Sequence, residues 1–564
     1  MGPDAGAGQA RPPIAGEAFL RALAAHGVDF FFANPGTDFP PIVEAYARAG
    51  NARLPRPVLV PHENLAVAMA HGAFLMTGRP QAVMVHVNVG TANTINNLAN
   101  LSRERVPLLL AAGRTPITER GSFGSRSRPI HWAQEMFDQA GMVRELVKWD
   151  YELRMPAQAA DMVARACEVA MTPPRGPVYL VLPREPLAAE VRDAPPASGP
   201  RPPAAAPHPD PAATATLAQW IAEAERPLIV AAAAGSEARN VELLARLAER
   251  AAIPVVSHGA RVVNLPASHA MHFGYDSGPY LADADLVIVI ESDAPWYPGR
   301  QEPPPGCRVA HVGEDPAFVR YPMRSFRSDL AIIAGAGAAL AALDAALAGR
   351  LDAARVAARR ARLASQNAAR RARIVAPESS RITPQALSRA VGEAVGEDAI
   401  IFNEYPLLLD HCPRERPGTY FGLSPAGGLG WGLGAALGAK LAAPERRVVA
   451  TIGDGAYLFT NPAACHWVAE AHGLPVLAIV FNNSRYGAVR RATLAMFRDG
   501  AAGADDGRFL ADLDPSPPYD AMARAQGAHA ERVERPDELA DALARARAAV
   551  DGGRQALVNV ICPY

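Results

Sequence analysis

The sequence predicts an α/β protein with three doubly wound parallel-sheet domains. Short apolar runs bounded by Gly, Pro or Asn alternate with stretches of helical period, as buried parallel strands alternate with helices in βαβ units. The alternation occurs in three blocks, which a proline-rich stretch and an Ala/Arg-rich stretch separate. A chain of 564 residues is long enough for three or four domains at about 150 residues each.

The first block, residues 14–192, carries four apolar runs that predict strands: VDFFFA, PQAVMVHV, VPLLLAAG and GPVYLVLP. Residues 193–212 are too rich in proline for a helix or a central strand and are predicted to be a linker. The middle block, residues 213–345, contains the runs RPLIVAAAA, IPVVSHGA, ADLVIVIES and CRVAHVG. Residues 346–382 are predicted to be a helical connector. The third block, residues 383–564, contains DAIIFNE, RRVVATIGDG, LPVLAIVFNN and QALVNVIC.

Composition excludes several classes of protein. With 49% hydrophobic and 20% charged residues, and 56 basic against 57 acidic side chains, the chain is neither disordered nor basic enough to bind nucleic acid. Its apolar runs are shorter than the ~18 to 20 residues that span a bilayer, and the start, MGPDAGAGQARPP, lacks the apolar core of a signal peptide. We therefore expect a cytoplasmic protein without a membrane partner.

The strongest chemical signal lies in the third block, in VVATIGDGAYLF and LPVLAIVFNNSRYGAV. Asp454 and Asn483 are 29 positions apart, and each follows a predicted strand, where ligands of open parallel sheets bind. Gly453 and Gly455 allow close approach of a phosphate, while the carboxylate and amide oxygens suit magnesium. Taken singly, GDG could be an ordinary strand-to-helix turn and NN an ordinary helix cap.

Together, in this order and spacing, the two motifs resemble the diphosphate-binding motif of thiamin-diphosphate enzymes, which begins with GDG and ends with NN. The segments NPGTDFPP, VLVPHENLAVAMAHG, PQAVMVHVNVGTAN and SPAGGLGWGLGAALGAKL are similar to segments of the acetolactate synthase and benzoylformate decarboxylase group. The resemblance implies a pyrimidine-binding first domain, a Rossmann-like middle domain and a diphosphate-binding third domain. It also implies a homodimer or homotetramer with the site at the interface.

The resemblance implies thiamin diphosphate and Mg²⁺ as cofactors. Glu63, at the start of an amphipathic helix, would hydrogen-bond N1′ of the aminopyrimidine; without the family it would be an ordinary helix-start acid. The metal ligands would be Asp454, Asn483 and the backbone carbonyl of Arg485. Other cofactor-binding residues would be Gly428, Leu429 as the wedge between the two rings, Gly453, Gly455, Ala456, Tyr486 and Gly487. Ala456 stands where many relatives carry a serine.

His86 occupies the position of an active-site histidine of benzoylformate decarboxylase, and Thr37 that of a serine. The alternatives are a strand-end histidine satisfied by backbone and a threonine that caps the next helix. Leu423, Ser424 and Val489 align with substrate-pocket positions. A second histidine, which benzoylformate decarboxylase contributes from its middle domain, is not evident; the matching segment carries Trp296, Tyr297 and Arg300.

These features predict a lyase, a benzoylformate decarboxylase-like enzyme that decarboxylates a 2-oxo acid and has carboligase activity toward an aldehyde. His86 favours this activity. The alternative, favoured by the missing second histidine, is an acetolactate synthase-like or acetyl-transferring carboligase. The middle domain resembles one that binds FAD or ADP in some members; FAD is not indicated by any motif here.

Overall fold

The computed structural model describes residues 12–191, 201–375 and 379–563. Three wholly parallel sheets with flanking helices account for its architecture, which confirms the predicted fold class. The described residues form two compact units. The first contains those up to Ala204 together with Pro425–Gly428, and the second contains the rest.

The N-terminal sheet has six strands. They are β1 (Phe30–Asn34), β2 (Arg56–Leu59), β3 (Gln81–Val85), β4 (Leu108–Arg114), β5 (Asp150–Glu152) and β6 (Val178–Pro183), in the spatial order β2-β1-β3-β4-β6-β5. The helices are α1 (Ala15–Ala25), α2 (Pro40–Arg48), α3 (Glu63–Thr77), α4 (Val87–Glu104), α5 (Ile130–Ala133), α6 (Ala159–Met171) and α7 (Arg184–Ala188).

Helix α3 departs from the sequence prediction. All of its residues from Glu63 to Phe74 are buried, so the expectation of an amphipathic helix is wrong. Small residues, including four alanines and a glycine, alternate with large ones along it, which lets neighbouring elements pack on every face. The helix therefore holds its first residue, Glu63, inside the domain.

The middle sheet has five strands, β7 (Pro227–Ala231), β8 (Val255–Val256), β9 (Leu286–Ile290), β10 (Arg308–Gly313) and β11 (Leu330–Ile333), in the order β11-β10-β9-β7-β8. Its helices are α8 (Pro211–Glu223), α9 (Ala238–Ala251), α10 (Gly278–Leu281), α11 (Ala336–Ala346) and α12 (Ala353–Ala372). The guanidinium of Arg359, on α12, is buried and donates to the carbonyl groups of Ala251, Ile221 and Ala224, which ties α12 to the ends of α8 and α9.

The C-terminal sheet has six strands, β12 (Ile400–Glu404), β13 (Tyr420–Gly422), β14 (Val448–Gly453), β15 (Leu477–Asn482), β16 (His529–Val533) and β17 (Ala556–Ile561). Their order, β13-β12-β14-β15-β17-β16, repeats that of the N-terminal sheet strand for strand. The helices are α13 (Pro384–Val395), α14 (Gly432–Ala442), α15 (Asp454–Phe459), α16 (Pro462–His472), α17 (Gly487–Met496), α18 (Ala501–Ala504), α19 (Tyr519–Arg524) and α20 (Pro536–Asp551).

Five strands, β2, β5, β11, β13 and β16, are not among the apolar runs that predicted the strands. All five lie at sheet edges. An edge strand pairs on one side only and is covered less completely than a central strand, so it does not need a continuous apolar sequence. Within the described ranges, no helix combines the length and the apolar character needed to cross a bilayer.

Candidate active site

The GDG and NN motifs meet at the carboxyl edge of the C-terminal sheet. Strands β14 and β15 pair in parallel with Gly453 beside Phe481, which brings the residues after both strands together. Asp454 begins α15 and is 3% exposed. Its two carboxylate oxygens accept hydrogen bonds from the N–H groups of Gly455 at 2.8 Å and Arg485 at 3.3 Å. The Asn483 Oδ1 accepts from the same Arg485 N–H at 3.0 Å.

This donor set fits a magnesium ion bound to a diphosphate. Burial raises the pKa of Asp454 to about 6, so a cation beside it would offset an unfavourable desolvation of its carboxylate. Among the described residues, no group of three or more His, Cys, Asp or Glu side chains could hold a metal. One carboxylate and one amide oxygen are a partial set, which suits an ion that completes its shell with phosphate oxygens and water. The Arg485 carbonyl, the third expected ligand, accepts from the Gly487 N–H at 2.9 Å.

The other expected diphosphate contacts surround this cluster. A Cβ on Gly455 would lie 2.7 Å from the ring of Tyr486, whereas a Cβ on Gly453 would meet open space. Tyr486 is held by its N–H, which donates to the Ala511 carbonyl at 2.7 Å. Ala456 is buried, and Gly487 begins α17. The structure thus brings the GDG and NN residues together and leaves open space beside Gly453.

The turn that carries Leu429 is anchored by a residue to which the sequence analysis gave no role. Glu404, at the end of β12, is fully buried, and its carboxylate accepts from the N–H groups of Gly430 at 2.7 Å and Gly432 at 2.5 Å. Burial raises the pKa of Glu404 to about 7, against these donors and the Trp431 N–H, which lower it. A glutamate inside the apolar run DAIIFNE was the sequence signal for it.

In the first unit, Glu63 and His86 lie at the carboxyl edge of the N-terminal sheet. Glu63 is 8% exposed, and its carboxylate accepts a hydrogen bond of 3.0 Å from the Asn93 amide on α4. His86 follows β3 and immediately precedes α4. The negative charge of Glu63 is among the causes that raise the pKa of His86, which places the two side chains in one electrostatic environment.

The partner of His86 is a carboxylate, not the backbone. The His86 Nδ1 lies 2.6 Å from Oδ1 of Asp38, a buried residue in the loop after β1. The Asp38 hydrogen bond raises the pKa of His86, and burial opposes it. Sequence analysis did not single out Asp38; its only signal was an acid beside Thr37 after a buried strand.

The remaining first-unit residues are Thr37 and Gly428. Thr37 is exposed and does not cap α2, whose N-cap is Phe39. Gly428 is buried and exchanges two hydrogen bonds with the side chain of Asn100, of 3.0 Å to its N–H and 2.8 Å from its carbonyl. A Cβ on Gly428 would lie 2.6 Å from the Asn96 carbonyl, so only glycine fits here.

Of the expected substrate-pocket residues, Leu423 borders a cavity among the described residues. In the second unit, Leu423 lines a largely apolar cavity of about 440 Å³, together with Tyr405, Leu408 and His411. Ser424 is buried, and Val489 is 46% exposed; neither belongs to the lining of this cavity. Of the three residues, Leu423 is the one that lines this cavity.

The middle sheet has its topological switch point between β7 and β9. The protein's own side chains form a network there. The Asp293 carboxylate accepts from Arg261 at 3.2 Å and from the Tyr321 hydroxyl at 2.9 Å, while its carbonyl accepts from Arg324 at 2.8 Å. In the middle-domain segment that lacks a second histidine, Trp296 is buried against Phe326. Its side chain is therefore not free to take the place of that histidine.

Comparisons with known proteins agree with the three-domain fold. The N-terminal TPP binding domain, the central domain and the C-terminal TPP binding domain of thiamine pyrophosphate enzymes match residues 14–142, 214–343 and 405–560. A benzoylformate decarboxylase from Pseudomonas aeruginosa is 29% identical, over 93% of this chain and 95% of the relative. An acetolactate synthase large subunit from Lactococcus lactis is 24% identical, over 94% and 90%.

Two solved structures share the fold. The 4-hydroxybenzoylformate decarboxylase of Rhodococcus jostii has a TM-score of 0.79 at 23% identity, covering 98% of this chain and 99% of that one. The benzoylformate decarboxylase of Polynucleobacter necessarius has a TM-score of 0.81 at 21% identity, covering 97% and 98%. With the three domain matches, the parallel sheets and the clustered GDG and NN motifs, the chain belongs to the thiamine pyrophosphate enzymes.

Proposed function

We propose that the protein decarboxylates a 2-oxo acid with an apolar or aromatic side chain, using thiamin diphosphate and Mg²⁺. The observation that carries the proposal is the placement of a buried carboxylate, Glu63, and a carboxylate-paired imidazole, His86, at one edge of the N-terminal sheet. The curated benzoylformate decarboxylase relative supports the same reaction class.

Thiamin diphosphate, when bound, supplies a carbon nucleophile for the substrate carbonyl and accepts the electron pair released with CO₂. Glu63 holds and exchanges a proton at N1′ of the pyrimidine. Asp454 and Asn483 bind the metal, and the backbone around Gly455 and Tyr486 binds the diphosphate. In the overall reaction, the bond between the carboxylate and the carbonyl carbon breaks, CO₂ leaves, and a proton takes its place to give an aldehyde.

His86 interacts with the substrate. With its Nδ1 bound to Asp38, it presents Nε2 as the nitrogen that can donate a proton. A protonated imidazole attracts the substrate carboxylate during binding and can protonate the carbon that loses CO₂. Thr37, exposed in the same loop as Asp38, adds a hydroxyl donor for the carboxylate.

A second candidate is an acetolactate synthase-like or acetyl-transferring carboligase, in which an acceptor carbonyl captures the decarboxylated unit. The middle-domain segment of residues 291–306 favours it, because this segment contains no histidine to direct protonation. Curated acetolactate synthase and sulfoacetaldehyde acetyltransferase relatives also support it. In either case we propose a homodimer or homotetramer, with the first domain of one copy completing the site with the third domain of another.

The test is CO₂ release from aliphatic, branched and aromatic 2-oxo acids, with and without thiamin diphosphate and Mg²⁺. Wild type is compared with Glu63→Gln and His86→Ala, and with Glu44→Gln as a control because Glu44 is exposed on α2. We expect cofactor-dependent release that both site substitutions lower tenfold or more, about 1.4 kcal/mol or more in the barrier, and the control leaves unchanged.

Absence of release from all substrates by a protein that binds the cofactor would contradict the decarboxylase function. Paired donors and acceptors would then test the carboligase function. Product analysis with an added aldehyde separates the two, because a decarboxylase forms free aldehyde without an acceptor, whereas a transferase requires one.

A further inference from the structure

Asp38 and His86 form a buried carboxylate–imidazole pair that the strand order creates. Strands β1 and β3 are parallel neighbours, with Asn34 beside Val85, so the loop after β1 reaches the residue after β3. One Asp38 oxygen lies 2.6 Å from His86 Nδ1, and the other accepts from the Val87 N–H at 3.2 Å. Both oxygens of Asp38 are therefore directed at the start of α4.

Two glycines leave the space that this pair occupies. A Cβ on Gly36 would lie 2.2 Å from His86 Nδ1, and a Cβ on Gly113 would lie 1.9 Å from an Asp38 oxygen. Asp38 is 3% exposed, whereas the His86 side chain is 19% exposed. The carboxylate is thus enclosed and fixed, and the imidazole is the member of the pair that a substrate can reach.

The backbone at this position is strained. Val87 has φ 33°, an unfavourable value for a β-branched residue, and Asp38 holds its N–H. Strain of this kind persists only where the surroundings enforce it, and it is concentrated at functional sites. The same carboxylate thus binds the imidazole and the turn that carries it.

We propose that Asp38 is a positioning residue that fixes the ring orientation of His86 and the proton on its Nδ1, leaving Nε2 for the substrate. The proposal rests on the proposed function, in which His86 contacts the substrate. It places the acid–base capacity of the site within the N-terminal domain, whose charged groups facing His86 are Asp38, from the loop after β1, and Glu63, from α3. Both carboxylates favour the protonated imidazole.

The test combines a titration with kinetics on the holoenzyme. Histidines are labelled with ¹³C at Cε1, and the His86 signal is identified by its loss in His86→Ala. In wild type we expect His86 to titrate above its ordinary pKa of 6.5, and Asp38→Asn to lower that pKa. The amide introduced by Asp38→Asn would keep an acceptor for Nδ1–H but carry no charge, so comparison with Asp38→Ala separates orientation from charge.

In the kinetics, Asp38→Asn should lower kcat at least about tenfold and move the alkaline limb of the kcat/KM profile to lower pH. In a His86→Ala background, the same substitution should change kcat by less than about twofold, because its partner is gone. Glu44→Gln serves as the control and should change neither quantity.

A wild-type His86 pKa at or below 6.5, or one that Asp38→Asn leaves unchanged, would overturn the proposal, whichever substrate is used. Independent, multiplicative losses from the two substitutions would also overturn it. If no 2-oxo acid is turned over but the titration behaves as expected, the proposed function fails while the pairing of Asp38 with His86 stands. The wild-type titration remains decisive even if Asp38→Asn does not fold.

Discussion

Replacing Glu404 with glutamine should change how the stability of the C-terminal domain depends on pH. Glu404 is fully buried, and its pKa is raised from an ordinary 4.5 to about 7. A carboxyl group whose pKa is raised on folding contributes stability that is fully present below the unfolded value and is lost as pH rises through the folded value. The shift corresponds to about 3 kcal/mol, most of which falls between pH 5 and pH 8.

Glutamine has the shape of the protonated acid but does not titrate. In glutamine an NH2 group replaces one carboxylate oxygen and faces the backbone N–H of Gly430 or Gly432, so one hydrogen bond is lost. This loss of stability is the same at every pH. The stability of wild type relative to Glu404→Gln should therefore fall as pH rises. For a domain of this size, a change of about 2 to 3 kcal/mol corresponds to about 5 to 10 °C in Tm.

The assay is scanning calorimetry of wild type and Glu404→Gln from pH 5 to pH 8, following the transition that contains the C-terminal domain. Glu534→Gln is the matched control, since Glu534 is exposed in the same domain. The reasoning is refuted if the difference in stability between wild type and Glu404→Gln does not change between pH 5 and pH 8. That result would mean that the three backbone donors outweigh burial and hold an ordinary carboxylate.

Three further predictions concern other parts of the second unit. Asp454→Asn removes the buried carboxylate beside Asn483 and should weaken Mg²⁺-dependent binding of thiamin diphosphate about tenfold or more in calorimetric titration; unchanged affinity would exclude Asp454 as a ligand. Gly430→Ala should lower Tm, because φ is +83° and the new Cβ would lie 2.4 Å from the Phe459 carbonyl; an unchanged Tm would show that the turn relaxes at no cost. Arg359→Met should destabilise the middle domain by about 3 kcal/mol, since carbonyl groups at the ends of two helices lose their donor, and a shift in thermal unfolding without loss of cofactor binding would verify this.

The sequence alone determined the fold class and predicted that the GDG and NN motifs lie close together. Central parallel strands are covered on both faces, so their apolar runs are continuous and bounded, and twelve of these runs marked the three sheets. The GDG and NN motifs follow adjacent strands, so their spacing in sequence implied their proximity. Local patterns of this kind can be interpreted from the sequence because a single element determines them.

The tertiary structure alone decided features that join elements distant in sequence. Asp38 and His86 are 48 positions apart, and only the order of β1 and β3 brings them together. In the sequence, Glu404 is the last residue of an apolar strand, and nothing next to it indicates a partner. Its partners, Gly430 and Gly432, lie 26 and 28 positions further on. Helix α3 is predicted to be amphipathic because a one-dimensional pattern does not show that both of its faces will be covered. Residue type specified what each side chain could do, and the packing of non-adjacent strands specified which partner it met and in what charge state.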